Sequence, residues 1–372
     1  MHRRKSTTML LVSVVGLALA AACSTENTTA NTATAGGPRK AEEGFQQSGS
    51  GGDITKFCGT KPMKVGFLKS AGGNTWVLQA AAEFKDEAAK CGNVTEALFA
   101  QAINDQQKAI SDITSYVAQG VNVLVISADY GVAELPAISK ATQAGVKVVT
   151  ILGDAGGKPG TDFVDAVTFD TDFIGKKWAD FLHEQVGKGT VAFLGGTPGN
   201  ETSTQFFASF QKAMKAYPEI EIVDDRVQDT NWDPALRRKV MTGLLSKHGR
   251  IDAIVSDFNG PDTGAIQAYD SANMERPVVA SITSNNEIGC DWAKKPYPFL
   301  VMGQTSSLPR LALRIGVAAF QGTANTESAK LHPEPFTYLP NGTAPDCKPA
   351  LPPDADLTAD LTESQLTELF KS

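Results

Sequence analysis

The stretch MKVGFLKSAGGNTWV, Met63 to Val77, runs from an apolar segment through two glycines to an asparagine and a tryptophan. Its first five residues read as a strand buried on both faces, and Thr75 onward reads as a helix. The loop between them is where tryptophan is hard to accommodate. A strand-to-helix loop is usually solvated, whereas an indole favours cover. The stretch therefore points to cover from outside the protein's own core, with glycine letting the backbone come close to a ligand.

The same strand-then-helix rhythm repeats outward from this point. A helix from about Thr75 to Lys90 precedes VTEALFA, one from Gln106 to Gln119 precedes VNVLVIS, and one from Val132 to Ala144 precedes VKVVTIL. It then restarts: helix Phe173–Val186 before TVAFLGG, Thr202–Ala216 before IEIVDDRVQ, Pro234–Lys247 before IDAIVSD, and Thr263–Ala272 before PVVASIT. A late segment, FLVMGQTSSLPRLALRIGVAAF, adds a strand and a helix. Short β-branched runs alternating with helices imply βαβ crossovers, so the expected fold class is α/β with two doubly wound parallel-sheet lobes. Ligands of such sheets sit at the carboxyl ends of the strands.

Composition narrows the partner. The chain has 372 residues and a net charge of −7, with no stripe of Lys or Arg. Nucleic-acid binding requires clustered cations and is excluded as an expectation. The opening MHRRKSTTMLLVSVVGLALAAAC has a cationic head and an apolar run too short to span a bilayer, which marks an export signal. Its AAAC ending resembles a bacterial lipoprotein lipobox, which implies lipidation at Cys23; the alternative is an ordinary secretory signal. Residues 24–55 hold almost no large apolar side chain and read as a disordered tether. Removing Cys23 leaves Cys58, Cys91, Cys290 and Cys347, an even number in an oxidising setting and without metal-ligand spacing. Cys58 precedes the first strand and Cys91 ends the helix that returns beside it, so these two pair and Cys290 pairs with Cys347 by elimination.

Polar and aromatic residues gather at the carboxyl edges of the expected strands. They are Lys69, Ser70, Asn74 and Trp76, then Asp129 and Asp154, and in the second half Gln205, Phe206, Trp232, Asp257, Asn259, Asp262, Asn285 and Gln304. Rings interleaved with carboxylates and amides suit a polyhydroxyl compound, whose C–H faces stack while its hydroxyls hydrogen-bond.

From Met63 to Phe320 the chain resembles the type I periplasmic binding proteins that deliver sugars to ABC importers, the ribose-binding-like family. The residues carrying the likeness are VGFLKSAGGNTW, DQQKAISDITSYVAQGVNVLVIS, FDTDFIGKKWADFL, TNWDPALRRKVMTGLL and NGPDTGAIQAYDSA. The resemblance implies that Asn74, Trp76 and Trp232 hold the ligand. It also shows departures. LGD stands where an Asp-Arg pair is common, with Asp154 displaced, and Phe206 stands where an arginine is common. The family's ND pair falls near Phe258 and Asn259, and its late glutamine is Gln304 or is replaced by Ser307. Losing an arginine removes charge-assisted donors, which turns the expectation from a common aldopyranose toward another sugar form or a short polyol.

The resulting domain plan is a signal peptide at 1–23, a tether at 24–55, an N-terminal lobe of 56–169 plus 306–332, a C-terminal lobe of 170–305 plus 333–350, and a tail at 351–372. Crossings between the lobes are expected near Phe169–Thr171, Gly303–Ser306 and beyond Phe320. Asp170 in FDTD reads equally as a ligand contact or as a helix cap. Trp178 reads as core, and Trp292 as cover for the second disulfide or the hinge. GDAGGKPG and LGGTPGN lack the spacing of a dinucleotide or phosphate loop, so no cofactor or metal is expected. The tail LTADLTESQLTELFKS reads as an amphipathic helix docked on the protein itself.

These readings converge on a monomeric, non-enzymatic binding protein outside the cytoplasm. It is held to the membrane by lipid alone, takes a small neutral sugar or polyol, and hands it to ABC permease subunits. Two alternatives stand beside it: a receptor for a furanone-type signalling molecule using Lys69 and aspartates, and an exported α/β carbohydrate-active enzyme using Asp154 with Asp170 or Asp257 as a carboxylate pair.

Overall fold

In the central strands of the N-terminal lobe, alternate residues face opposite helical layers, and both sets are apolar. A computed structural model describes residues 46–47, 52–71 and 73–371. Cys23, the signal peptide and most of the expected tether lie outside these. Strands β1 (Gln46–Gln47), β2 (Met63–Lys69), β3 (Val94–Gln101), β4 (Val123–Ser127), β5 (Lys147–Ile151) and β6 (Asp165–Phe169) belong to this lobe, with α1 (Thr75–Ala89), α2 (Gln106–Ala118) and α3 (Leu135–Gln143) between them. Val65, Phe67, Val123 and Val125 share one core with Val77 and Phe84 of α1. Leu68, Leu124 and Ile126 pack toward Ile113 of α2 and Ile138 of α3. Burial on both faces accounts for the unbroken apolar strand sequences.

The chain then crosses to a second sheet. It comprises α4 (Thr171–Gln185), β7 (Gly189–Gly195), α5 (Glu201–Met214), β8 (Ile220–Ile222), β9 (Gln228–Asp229), α6 (Pro234–His248), β10 (Ala253–Ser256), α7 (Asp262–Ser271), β11 (Val278–Ile282), α8 (Asn286–Lys294) and β12 (Phe299–Gly303). Helix α9 (Leu308–Gln321) and strand β13 (Lys330–His332) return to the first lobe, β14 (Glu334–Tyr338) rejoins the second, and α10 (Glu363–Leu369) ends the chain. Sheet order is β1-β13-β6-β5-β4-β2-β3 in the N-terminal lobe and β14-β12-β11-β10-β7-β8 in the C-terminal lobe, with β9 paired to β7. Among the described residues these strand pairings are all parallel except β12 with β14.

The two sheets are joined where β6 leads into α4, where β12 leads into α9, and where β13 leads into β14. A short 3-10 turn, Thr305–Ser307, occupies the second junction. At the third, His332 stacks on Phe173 with ring centroids 4.2 Å apart, and its Nε2 lies 3.1 Å from Asp170 Oδ2 across to the first junction.

Several local expectations are corrected. IEIVDDRVQ is not one strand: Asp224 adopts a left-handed φ of 58° in a 3-10 turn that separates β8 from β9. The third helix begins at Leu135 because a 3-10 turn at Gly131–Ala133 comes first. Strands β6, β13 and β14 and helix α8 were not anticipated, since their runs are short and partly polar. Within the segment read as tether, Gln46–Gln47 pair in parallel with β13, and Ile54 is fully buried. The structure joins Cys58 to Cys91 and Cys290 to Cys347, with Cα separations of 5.4 and 4.7 Å. Trp178 is buried among Phe193, Phe206 and Phe210, and Trp292 is buried with its indole donating to Tyr297 O at 2.6 Å. Among the described residues no helix is long and apolar enough to cross a membrane.

Candidate functional site

Between the two sheets lies a cleft lined from both lobes. The N-terminal lobe supplies Lys69, Ala71, Asn74, Trp76, Asp129, Leu152 and Phe169 to it. The C-terminal lobe supplies Thr202, Phe206, Trp232, Asp257, Phe258, Ile282 and Thr283, and Thr305 comes from the second junction. Opposite the hinge the lobes also touch, for Glu201 N donates to Asp129 O at 3.4 Å.

On the N-terminal side the central feature is a buried ion pair. Lys69 is only 4 % exposed, and its Nζ donates to Asp129 Oδ2 and, at 3.1 Å, to Ser127 Oγ. The same carboxylate oxygen accepts from Ala71 N at 3.0 Å and from Ser127 Oγ at 2.8 Å. Charge is thus balanced locally, as burial demands. Below it, Glu134 accepts from Ser70 Oγ and, at 3.0 Å, from Tyr130 N. Burial, aided by the charge of Asp129, pushes its carboxyl up to about 7 against those hydrogen bonds.

Asn74 caps α1, its Oδ1 accepting from Val77 N at 3.3 Å. The cap fixes the first turn of α1 and so places Trp76 at the cleft wall. Trp76 is 8 % exposed and donates its indole N–H to Thr305 Oγ1 at 3.0 Å, and Thr305 in turn bonds Thr283.

Across the cleft stands the second indole. Trp232 has a φ of 53° and donates Nε1 to Asp257 Oδ1 at 3.0 Å. It lies against Gly196, where a Cβ would come within 2.1 Å of Trp232 Cζ2, so only glycine admits the ring. Asp257 also accepts from Ser203 Oγ. Burial raises its carboxyl, opposed chiefly by Arg237, whose Nη2 lies 3.9 Å away. Arg237 itself is 0 % exposed. Its guanidinium donates to Thr230 Oγ1 at 3.2 Å, to Phe258 O at 2.7 Å and to Asp262 Oδ1 at 2.6 Å, binding together the loops that carry Trp232, Asp257 and Phe258. Leu152 and Thr283 share Trp232's left-handed backbone, with φ of 66° and 57°. Such conformations cost energy and cluster where a side chain must be aimed at a site.

Of the candidates read from sequence, Lys69, Asn74, Trp76, Asp129, Phe206, Trp232 and Asp257 line the cleft. The others do not. Asp154 is exposed and accepts from Gly156 N at 2.8 Å. Asp170 caps α4 and Asn285 caps α8, so their oxygens are occupied by Phe173 N and Ile288 N. Gln205 bonds Glu201 on its own helix at 3.1 Å. Asn259 donates to Asp262 Oδ2 at 2.8 Å, and Asp262 also accepts from Ser256 and Arg237, so both belong to the buried support behind the cleft. Gln304 has a φ of 59° and its backbone N donates to Thr358 Oγ1 at 2.9 Å. Of the carboxylates proposed for an enzyme, Asp257 lines the cleft, whereas Asp154 and Asp170 do not. Among the described residues no group of three or more His, Cys, Asp or Glu is placed to hold a metal.

Sequence reading missed Leu152, Phe169 and Ile282, which are indistinguishable from core by pattern, and the hydroxyls of Thr202, Thr283 and Thr305, and it met Phe258 only at the family's ND pair. Thr202 Oγ1 is buried without a protein partner. Such a group calls for a bound partner.

A family model described as a periplasmic binding protein domain matches residues 65–324. The D-xylose-binding periplasmic protein of Escherichia coli K12 is 29% identical over 192 residues, covering 50% of this chain and 56% of that protein. The ribose import binding protein RbsB of Bacillus subtilis 168 is 28% identical over 221 residues, covering 59% and 69% respectively. The chain thus matches little more than half the length of the first of these relatives. A solved structure of the periplasmic binding component of the arabinose ABC transporter from Shewanella sp. ANA-3 superposes with a TM-score of 0.64 at 24% identity, covering 74% of this chain and 91% of that one. At that identity the likeness establishes the fold.

Proposed function

Because the chain belongs to the type I periplasmic binding proteins, the ribose-binding-like family, we propose that it is the extracytoplasmic sugar-binding component of an ABC importer. In this reading it captures a small neutral monosaccharide or polyol and presents it to the permease subunits. Export and lipidation at Cys23 would leave the domain tethered at the membrane surface by its anchor. The observation carrying the proposal is the placement of Trp76 and Trp232, from opposite lobes, on one cleft that also holds Lys69, Asp129 and Asp257.

The chemistry suits an uncharged polyhydroxyl guest. Both indoles offer stacking surfaces, and their N–H groups are already engaged with Thr305 and Asp257, which fixes the rings before a ligand arrives. The lysine lining the cleft is paired with Asp129, and Arg237 is engaged behind the site with Asp262 and Asp257, so among the described residues of the cleft no unpaired cation awaits a carboxylate. Closure works because ligand contacts from both lobes coexist only when the lobes meet. The Glu201–Asp129 backbone contact closes the side opposite the hinge. No bond in the ligand is made or broken.

A thermal-shift screen against aldopentoses, aldohexoses and polyols tests this reading. A ligand that binds only the native state raises the melting temperature, by about 2.7 kcal/mol of added stability at a hundredfold excess over Kd. The hit should leave solution unchanged on release, and Trp232→Ala should abolish the shift while preserving the circular dichroism spectrum. A screen with no hit, or a sugar chemically altered on release, overturns the proposal.

A further inference from the structure

Solute capture by two lobes on three crossings gives no task to the residues that follow β14. These residues nevertheless bridge the lobes. Their root is in the C-terminal lobe, where Cys347 is bonded to Cys290 of α8. Next to it the buried Asn286 side chain donates to Lys348 O at 2.8 Å and Leu351 O at 3.0 Å and accepts from Lys348 N at 2.8 Å. The backbone N–H groups of Asn286 and Glu287 donate to Ala355 O and Pro353 O, each at 2.8 Å.

One residue further on, the grip changes lobe. Asp356, 2 % exposed, donates its backbone N to Gln79 Oε1 of α1 at 3.1 Å, and its carbonyl accepts from Gln79 Nε2 at 3.5 Å. Arg310 of α9 donates to Asp360 O at 2.9 Å. Gln365 of α10 donates to Asp86 of α1 at 2.8 Å, and Leu366 is buried. Between the two grips, Thr358 Oγ1 accepts from Gln304 N at the second crossing itself.

We infer that residues 346–370 form a strap that positions α1, and with it Asn74 and Trp76, against the C-terminal lobe, and so limits how far the lobes separate. Rotation about the three crossings carries α1 away from α8. The strap spans that gap, rooted by a covalent bond at one end and held at the other by hydrogen bonds and an apolar side chain. Opening beyond its reach strips Gln79 and Asp356 of partners they share in a buried setting, which is costly. The restraint acts in the ligand-free protein, whichever solute is bound afterwards.

The test compares the ligand-free full chain with one ending at Ala350, which keeps the Cys290–Cys347 bond, and with Gln79→Ala in the full chain. Small-angle scattering reads the separation of the lobes, and hydrogen exchange reads α1. The truncated chain should show a larger radius of gyration and faster exchange across residues 75–82, and Gln79→Ala a smaller shift in the same direction. If the truncated chain does not fold, Gln79→Ala decides alone. A radius of gyration and α1 exchange equal to those of the full chain overturn the inference.

Discussion

The indole nitrogen of Trp76 donates to Thr305 Oγ1 at 3.0 Å, which ties a wall of the cleft to the segment where the chain passes from β12 to α9. Any movement of the lobes about that segment would therefore be felt directly by a ring that lines the cleft.

Thr305→Val keeps the shape of the side chain and removes the acceptor. A buried N–H left without a partner costs about 1–3 kcal/mol. The expected outcome is a loss of affinity of about fivefold or more for the sugar found by thermal shift, measured by calorimetry, with Trp76 emission altered in the ligand-free protein. Unchanged affinity and emission would show that the bond has no part in holding the ring.

Gly196→Ala addresses the opposite wall. The added methyl would sit 2.1 Å from the Trp232 ring, so the indole must leave its seat and its bond to Asp257. Affinity should fall about tenfold or more, equivalent to about 1.4 kcal/mol. Trp232→Phe should lose less, because it retains an aromatic stacking face, although a smaller one without the N–H. Reversal of that order, read in the same titration, would mean that the hydrogen bond matters more than the surface.

Arg237→Met removes the counter-charge of two buried carboxylates. Burial already raises Asp257 and Asp262, and Arg237 is the largest influence opposing it for each. Leaving a buried pair broken costs about 3–5 kcal/mol. Urea unfolding at neutral pH should show a loss of that size. Adding Asp262→Asn should restore part of it, because the uncompensated charge is then gone.

Stability should also depend on pH through Glu134 and Asp356, which burial raises to about 7 and about 6. For a carboxyl whose folded pKa is raised, the folded state binds the proton more tightly than the unfolded chain. Its contribution is full below the ordinary carboxylate range and is lost as pH rises through the folded value. For Glu134 the span corresponds to at most about 3 kcal/mol between pH 4.5 and 7. Glu134→Gln should flatten the fall in melting temperature between pH 5 and 8. Equal slopes for variant and parent would refute the assignment.

The fold was legible because strands buried on both faces leave a repeated signature, as in VNVLVIS, and helices between them impose parallel order. Shorter elements left none: β13 and β14 are a lysine-bearing triplet and a proline-bearing edge strand, read as sheet only once their neighbours are in place. In the cleft, large aromatic residues at strand exits were informative, since Trp76 and Trp232 both line it. Asx residues at the same exits divided, because Asn74 and Asp129 line the cleft whereas Asn285 and Asp170 serve as helix caps, and sequence cannot tell which way such a side chain turns. Asn259 and Asp262 failed for another reason. Their direction is set by Arg237, which lies more than twenty positions away in the chain and whose burial no local pattern announces.

Both sulfur cross-links stay within a single lobe. Cys58–Cys91 joins the lead-in to β2 with the end of α1, and Cys290–Cys347 joins α8 with the loop beyond β14. The cross-links thus harden each half separately, and among the described residues neither of them ties one half to the other. Loss of Cys58–Cys91 should soften the N-terminal half, and loss of Cys290–Cys347 should soften the C-terminal half and also release the root from which the strap is hung.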